Sequence, residues 1–158
     1  MSLHDIVQSN RRGVAYEAAV RVREVFNATH LTDKDLRRVL EGVELELVEQ
    51  SLPSGTAEIL KPGILIIATN LPRAERRWAM AHGLGHHILA HGGDQTALDQ
   101  VWRWHQEREA DIFAGFLLFG ISMVDRSQSV YDLATRSSIP LHHILEWLGW
   151  LAASPWCS

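Results

Sequence analysis

The chain has 158 residues and a mass of 17.8 kDa, the size of one domain. With 46% hydrophobic and 22% charged residues, it has a globular composition, which excludes a disordered or fibrous chain. The net charge of −4 argues against bulk electrostatic capture of nucleic acid or an anionic membrane. Its single cysteine, Cys157, excludes an intramolecular disulfide and a thiolate metal cluster. Histidine is the unusual residue: there are nine, and four fall close together, at His82, His86, His87 and His91.

The sequence carries no pattern typical of export or membrane insertion. The N-terminal residues lack the basic and apolar regions of a secretory signal. The longest mostly apolar stretch, residues 112–124, is shorter than the roughly 20 residues that cross a bilayer. We therefore expect a soluble, cytoplasmic protein.

The first part of the chain predicts two helices. Apolar residues recur at helical spacing over about 12–27. Thr32, followed three residues later by Asp35, has the pattern of a capping box and predicts a second helix, which we expect to end at Gly42.

The next part predicts three strands. From Val43, apolar residues alternate with glutamates, as in a half-buried strand. Residues 57–60 and 64–69, separated by the turn Lys61-Pro62-Gly63, are typical of a hairpin whose second strand is strongly apolar.

The remaining chain predicts four more helices. Pro72 can begin a helix over about 73–90, which Gly92-Gly93 would end. The other three are expected over about 97–119, 128–136 and 140–152. The predicted fold class is α+β, with helices around a small three-stranded, mostly antiparallel sheet.

The first candidate site lies on the predicted helix over 73–90. His82 and His86 are four residues apart, so both rings lie on one face, one turn apart. Two imidazoles in that arrangement can bind one metal ion. The neighbouring residues are largely apolar, so the helix is expected to be buried, and a buried imidazole needs a partner.

A third ligand is predicted on the following helix. Continuing its apolar stripe from His105 by four residues reaches Glu109, so a carboxylate takes a core-facing position. Glu107 and Asp111 would then point the other way. A buried carboxylate is costly unless it is paired or metal-bound. The alternative partner for Glu109 is a nearby arginine, Arg103 or Arg108.

Three other histidines are assigned no metal. His105 lies on the same face as Glu109, as a partner of the site or simply a core histidine. His87 is expected to pack or to contact a metal ligand without binding the metal itself. His91 is nine residues after His82, whereas the metzincin pattern would need a histidine at Gly92.

Two histidines, a carboxylate and an open fourth position form the ligand set of a catalytic zinc site rather than a structural one. Such a metal lowers the pKa of bound water and polarises a carbonyl. It normally works with a general base beside the first histidine, the glutamate of H-E-x-x-H.

Two motif blocks resemble one family. Residues 76–91 closely resemble the H-E-L-G-H helix of ImmA/IrrE-type metallopeptidases, and residues 107–118 resemble their E-x-E-A-x-x-F-A-x-x-L-L segment. Residues 64–72 resemble their I-x-I-N-x-x-L-P strand, and residues 132–148 are similar to their closing helices. The resemblance covers about 14–150.

The resemblance implies one metallopeptidase-like domain over 1–158, with a catalytic-type core over about 14–122 and C-terminal helices over 125–152. It also implies zinc on His82, His86 and Glu109. Known members are bacterial or phage regulators that cleave or control a helix-turn-helix repressor during stress or mobile-element induction, so the expected partner is such a protein.

One position departs from the family motif. Gly83 stands where the family has its general-base glutamate. General acid–base catalysis contributes roughly 10²–10⁴-fold in rate. We therefore predict that metal binding survives while peptidase activity is severely reduced or absent; natural loss and deliberate substitution both account for the glycine.

Three functions can be considered for a chain with these motifs. A regulatory zinc endopeptidase would bind its substrate along the exposed strand 64–69 by strand addition. A non-catalytic zinc-binding regulator would use the same groove to bind a partner, and Gly83 favours this alternative. Direct nucleic-acid binding is not expected, because residues 125–158 hold two basic side chains, Arg126 and Arg136, against three acidic ones.

Overall fold

The computed structural model describes residues 2–27, 31–91 and 100–153. Within these residues the chain forms seven helices and three strands: α1 (Leu3–Ser9), α2 (Val14–Val25), α3 (Asp33–Gly42), β1 (Glu46–Gln50), β2 (Glu58–Lys61), β3 (Ile64–Ala68), α4 (Arg73–Ile88), α5 (Gln100–Arg126), α6 (Val130–Ser137) and α7 (Leu141–Ala152). The predicted α+β class is confirmed. None of the described helices is long and apolar enough to cross a membrane.

The predicted capping box begins α3. The Thr32 hydroxyl accepts a hydrogen bond from the backbone N–H of Asp35 at 3.2 Å, and the Asp35 carboxylate accepts one from the backbone N–H of Thr32 at 3.1 Å. The same motif, Ser2 with Asp5, begins α1. Helix α1 was not predicted, although its capping box is visible in the sequence.

The sheet is mixed and has the order β1-β3-β2. Strand β3 pairs with β1 in parallel and with β2 in antiparallel orientation, the latter through the predicted hairpin. Because β3 has a partner on each side, its backbone is not free to bind another strand. The expectation that a substrate adds to 64–69 is therefore wrong, and the edges of the sheet are β1 and β2.

Helices α4 and α5 pack closely side by side. At Gly85 of α4, an added Cβ would lie 2.9 Å from Cδ1 of Phe113 and 3.2 Å from the backbone oxygen of Ala110. The absence of a side chain at Gly85 lets the two helices approach, which brings the histidines of α4 close to the acidic residues of α5.

The predicted apolar stripe of α5 is buried over its second half, where Phe116 and Leu117 are 3% and 0% exposed, but not over its first turns. Val101 and Trp102 are 64% and 61% exposed, whereas Ala110 and Phe113 are fully buried. The apolar stripe therefore begins near Ala110 and does not include the first turns of the helix. The predicted first residues of this helix, 97–99, and the predicted stop at Gly92-Gly93 lie outside the described residues.

Candidate metal centre

His82 and His86 meet at the α4–α5 interface. Both residues are 8% exposed, and their Nε2 atoms are 3.1 Å apart. The rings meet edge to face, with their centroids 4.7 Å apart. This is the shared helix face that their spacing predicts, and it directs two imidazole nitrogens at one point.

The carboxylate that meets this pair belongs to Glu107. Its Oε2 lies 2.9 Å from Nε2 of His82, and its Oε1 lies 3.1 Å from Nε2 of His86. One ligand atom from each of the three residues lies within 4.8 Å of the others. The expectation that Glu107 points away is wrong. Glu107 is three residues before the buried Ala110 and so shares the core-facing side of α5.

Asp111, one turn further along α5, binds the other side of the His82 ring. Its Oδ1 lies 2.8 Å from Nδ1 of His82. Its Oδ2 accepts a hydrogen bond from the indole N–H of Trp150 at 2.9 Å. The expectation that Asp111 points away is also wrong. Such a carboxylate–histidine pair fixes the ring and leaves Nε2 facing the metal position.

Glu109 does not reach the histidine pair. Its Oε2 lies 2.8 Å from Nε2 of His91, whose Nδ1 lies 2.9 Å from Nδ1 of His86. When His86 donates from Nδ1 to His91 and His91 donates from Nε2 to Glu109, the lone pair of His86 Nε2 remains free. His91, which was assigned no role in the site, therefore orients His86.

The end of α4 places His91. Ala90 has a φ of 55°, the left-handed conformation that ends many helices. The chain turns back there, and the His91 backbone N–H donates to the oxygen of His86 at 2.9 Å. The predicted helix extends to about residue 90, whereas α4 ends at Ile88. The turn at Ala90 and the contact of His91 were therefore not predicted.

A third carboxylate beside His82 comes from the edge strand β2. Oε1 of Glu58 lies 3.4 Å from Nε2 of His82, and the Glu58 side chain is only 20% exposed. Glu58 lines a cavity of about 240 Å³ that also includes Gly83, His86 and Glu107. Glu58 is not predicted as a site residue, because nothing in the local sequence indicates that this strand faces α4.

Burial and the neighbouring carboxylates have opposite effects on the pKa of His82. Burial by itself lowers the pKa of His82, but its hydrogen bonds to Asp111 and Glu107 outweigh this effect and raise the pKa to about 10. Without a metal, the carboxylates therefore hold a proton on His82. Burial lowers the pKa of His86, and the neighbouring His82 lowers it further. The centre is thus an anionic pocket that already attracts positive charge.

The donor atoms fit a metal ion. Two imidazole nitrogens and a carboxylate are preferred ligands of Zn²⁺, and ligands of a tetrahedral ion lie about 3.3 Å apart. The three separations among His82, His86 and Glu107 are 2.9–3.1 Å. A small rearrangement of one carboxylate is enough to accommodate an ion.

The sequence also matches a known protein family. The profile of Peptidase_M78, described as the IrrE N-terminal-like domain, matches residues 20–134, most of the chain. The chain belongs to the Peptidase_M78 family. No curated protein matches it.

A solved structure supports the fold of this Peptidase_M78 chain. A Mycobacterium tuberculosis transcriptional regulator superimposes with a TM-score of 0.60 at 17% sequence identity, over 90% of this chain and 49% of that protein. The chain thus spans about half the length of that regulator, and the likeness concerns the fold alone.

In this Peptidase_M78 chain, Leu65 occupies the space beside Gly83. A Cβ built on Gly83 would lie 2.4 Å from Cδ1 and 3.0 Å from Cδ2 of Leu65. Leu65 lies on the central strand β3 and is fully buried. The sheet therefore packs directly against the helix backbone at the position of the missing glutamate.

Another acidic and histidine cluster lies away from this centre. Glu75 of α4 binds Nε2 of His143 at 2.6 Å and of His142 at 3.3 Å, and the His143 ring stacks on Trp78. These contacts join α4 to α7. His105 instead packs against Trp104.

Proposed function

We propose that this chain is a zinc-binding regulator of the Peptidase_M78 family whose peptidase activity is severely reduced or absent. Its zinc ligands would be His82, His86 and Glu107. The contacts favour Glu107 over Glu109 as the third ligand, because Glu109 is engaged with His91. Glu109 then contributes through His91, which orients His86.

The surrounding residues would serve to hold and orient these ligands. When bound, zinc supplies a Lewis acid that polarises a carbonyl oxygen. Asp111 holds the His82 ring through Nδ1, and His91 does the same for His86. These partners favour tight, geometrically fixed metal binding even where no hydrolysis follows.

The environment of Gly83 carries the proposal of impaired catalysis. A general base beside His82 would accept a proton from water and pass it to the leaving nitrogen. Gly83 offers no carboxylate, and Leu65 fills the adjoining space. A glutamate at this position would need Leu65 to move, so the packing is adapted to glycine.

The proposed partner is a protein, with a helix-turn-helix repressor as the expected class. Peptidase_M78 membership supports a regulatory, protease-like scaffold, and the mycobacterial protein of similar fold is a transcriptional regulator. Within the described residues, β2 pairs with β3 alone, and Glu58 of β2 lines the cavity at the metal centre. An extended segment of the partner would therefore pair with the outer edge of β2.

Restoring the base tests the proposal. The triple variant Gly83→Glu, Leu65→Ala, Glu58→Gln supplies the carboxylate and the space it needs, and it removes the negative charge of β2 beside Nε2 of His82. With zinc bound, we expect it to cleave a helix-turn-helix repressor from the same genome, whereas the unaltered chain binds the repressor and leaves it intact. Intact-mass spectrometry measures cleavage, and surface plasmon resonance measures binding.

Two matched variants isolate the carboxylate. Leu65→Ala with Glu58→Gln, and Gly83→Gln combined with both of these changes, reproduce the cavity and the side-chain length without a base. Neither should cleave. Cleavage by the unaltered chain at the rate of the triple variant would refute impaired catalysis, and failure of the unaltered chain to bind the repressor would refute the proposed partner.

A further inference from the structure

We propose that Glu58 is a fourth protein ligand of this metal, so that the centre is closed to water. The inference rests on the proposed zinc site and deepens it. An open catalytic zinc site has three protein ligands and a water, whereas a structural site has four protein ligands. Assigning Glu58 to the fourth position therefore changes the kind of site.

The position of Glu58 beside His82 supports its role as a ligand. Its Oε1 lies 3.4 Å from Nε2 of His82, the separation expected of two ligands of one tetrahedral ion. Backbone pairing of β2 with β3 fixes its Cα opposite Ile67. Its side chain has three rotatable torsions and borders the cavity of about 240 Å³. The group whose ligand atoms all lie within 4.8 Å of one another is His82, His86 and Glu107, so binding of the ion would require rotation of the Glu58 side chain toward them.

The charges around His82 also support Glu58 as a ligand. Three carboxylates surround His82: those of Glu58, Glu107 and Asp111. In the described part of the chain, the ion pairs of these carboxylates are with His82 and His86 alone. A buried carboxylate without an arginine or lysine partner either takes up a proton or is stabilised by another cation. A divalent ion would stabilise the ionised form of Glu58.

The exposure of the two carboxylates supports the same assignment. The Glu107 side chain is 51% exposed, whereas that of Glu58 is 20% exposed. An exposed carboxylate is satisfied by water, but a buried one has to find a partner within the protein. The burial of Glu58 therefore favours its assignment as a metal ligand over a role as a solvated carboxylate.

Gly83 and the proposed role of Glu58 would both prevent peptide hydrolysis at the metal. Gly83 removes the residue that would act on a bound water, and Glu58 would exclude that water from the metal. Both residues line the same cavity. A site altered in this way would hold zinc as part of the fold.

The variant Glu58→Gln tests the fourth ligand, with Glu46→Gln as the matched control. Glu46 is an exposed glutamate of the other edge strand, β1. Zinc affinity is measured by competition with a chromogenic chelator. We expect Glu58→Gln to weaken binding about 10–100-fold and Glu46→Gln to leave it unchanged.

Cobalt spectroscopy provides a readout independent of activity. In the Co²⁺-substituted unaltered chain, added azide should leave the visible absorption spectrum unchanged, because no coordination position is open. In Glu58→Gln, azide should change the spectrum. Glu58→Asp provides a second variant that keeps the charge but is one methylene shorter, and it should also respond to azide.

The outcomes separate this inference from the proposed zinc site. A zinc affinity in Glu58→Gln equal to that of the unaltered chain, or an azide response in the unaltered chain, would overturn the fourth ligand alone, provided that His82→Ala still abolishes binding. If His82→Ala binds zinc normally, the zinc site itself is wrong.

Discussion

Asp111 and His82 are joined across the α4–α5 interface by a 2.8 Å contact between Oδ1 and Nδ1. The bond holds the ring of His82 so that its Nε2 faces Glu107. Replacing a carboxylate that orients a ligating histidine typically costs 10–100-fold in metal affinity. We therefore expect Asp111→Asn to weaken zinc binding by roughly that factor in a chelator competition assay. Trp150→Phe, which removes only the donor to Oδ2, should have a smaller effect; equal affinities in all three proteins would contradict this role of Asp111.

The third ligand is tested by a pair of variants two residues apart. Glu107→Gln should lose stoichiometric zinc because it removes the carboxylate that touches both histidines. Glu109→Gln should retain zinc with lower affinity because Glu109 acts only through His91. Elemental analysis after dialysis against low zinc measures both. Loss of zinc in Glu109→Gln with retention in Glu107→Gln would reverse the assignment in favour of Glu109.

The packing of Leu65 against Gly83 should appear as a coupling between the two positions. Gly83→Ala gains about 1 kcal/mol of helix propensity, but an overpacked core typically loses about 1–3 kcal/mol. We expect a net loss of unfolding free energy in urea denaturation. In a Leu65→Ala background, the same change should stabilise the protein, because the colliding methyl groups are gone. Additive effects of the two substitutions would contradict direct contact.

The capping box of α3 should make stability depend on acidic pH. The slight burial of the Asp35 carboxylate raises its pKa, but hydrogen bonds from the backbone and hydroxyl of Thr32 outweigh this and hold the pKa below 3.8. The folded state therefore binds this proton less tightly than the unfolded state. The contribution of Asp35 is fully present above pH 3.8 and is lost as the pH falls through the folded value.

Urea unfolding from pH 6 to pH 2.5 measures this contribution. The difference in unfolding free energy between the unaltered chain and Asp35→Asn should shrink as the pH falls. Glu24→Gln, at an exposed carboxylate of α2, serves as the control. A difference for Asp35→Asn that stays constant below pH 3.8 would exclude the carboxylate as its source. Thr32→Ala should cost about 1 kcal/mol at neutral pH.

Local signals predicted much of this fold and two of the four ligands proposed above. Three features could be predicted because each depends only on residues close together along the chain. They are the capping box at Thr32, the Pro62-Gly63 turn and the four-residue spacing of His82 and His86. The choice between Glu107 and Glu109 depended on which face of α5 is buried. Val101 and Trp102 suggested the wrong face, because apolar residues can also lie exposed.

Glu58 and Leu65 could not have been located in this way. Both reach the centre because β2 and β3 pack against α4, and a contact between a strand and a later helix leaves no periodic pattern in either segment. The order of strands within the sheet also depends on contacts between residues that are distant along the chain. For this reason β3 was expected at an edge, although it lies in the middle of the sheet.

The proposed ligands come from segments that are distant along the chain: β2 for Glu58, α4 for His82 and His86, and α5 for Glu107. An ion bound by all of them would act as a cross-link between sheet and helices that the unfolded chain lacks. By mass action, free zinc at 100 times its dissociation constant would add about 2.7 kcal/mol to the free energy of unfolding. The lifetime of the folded protein in the cell would then follow the zinc supply.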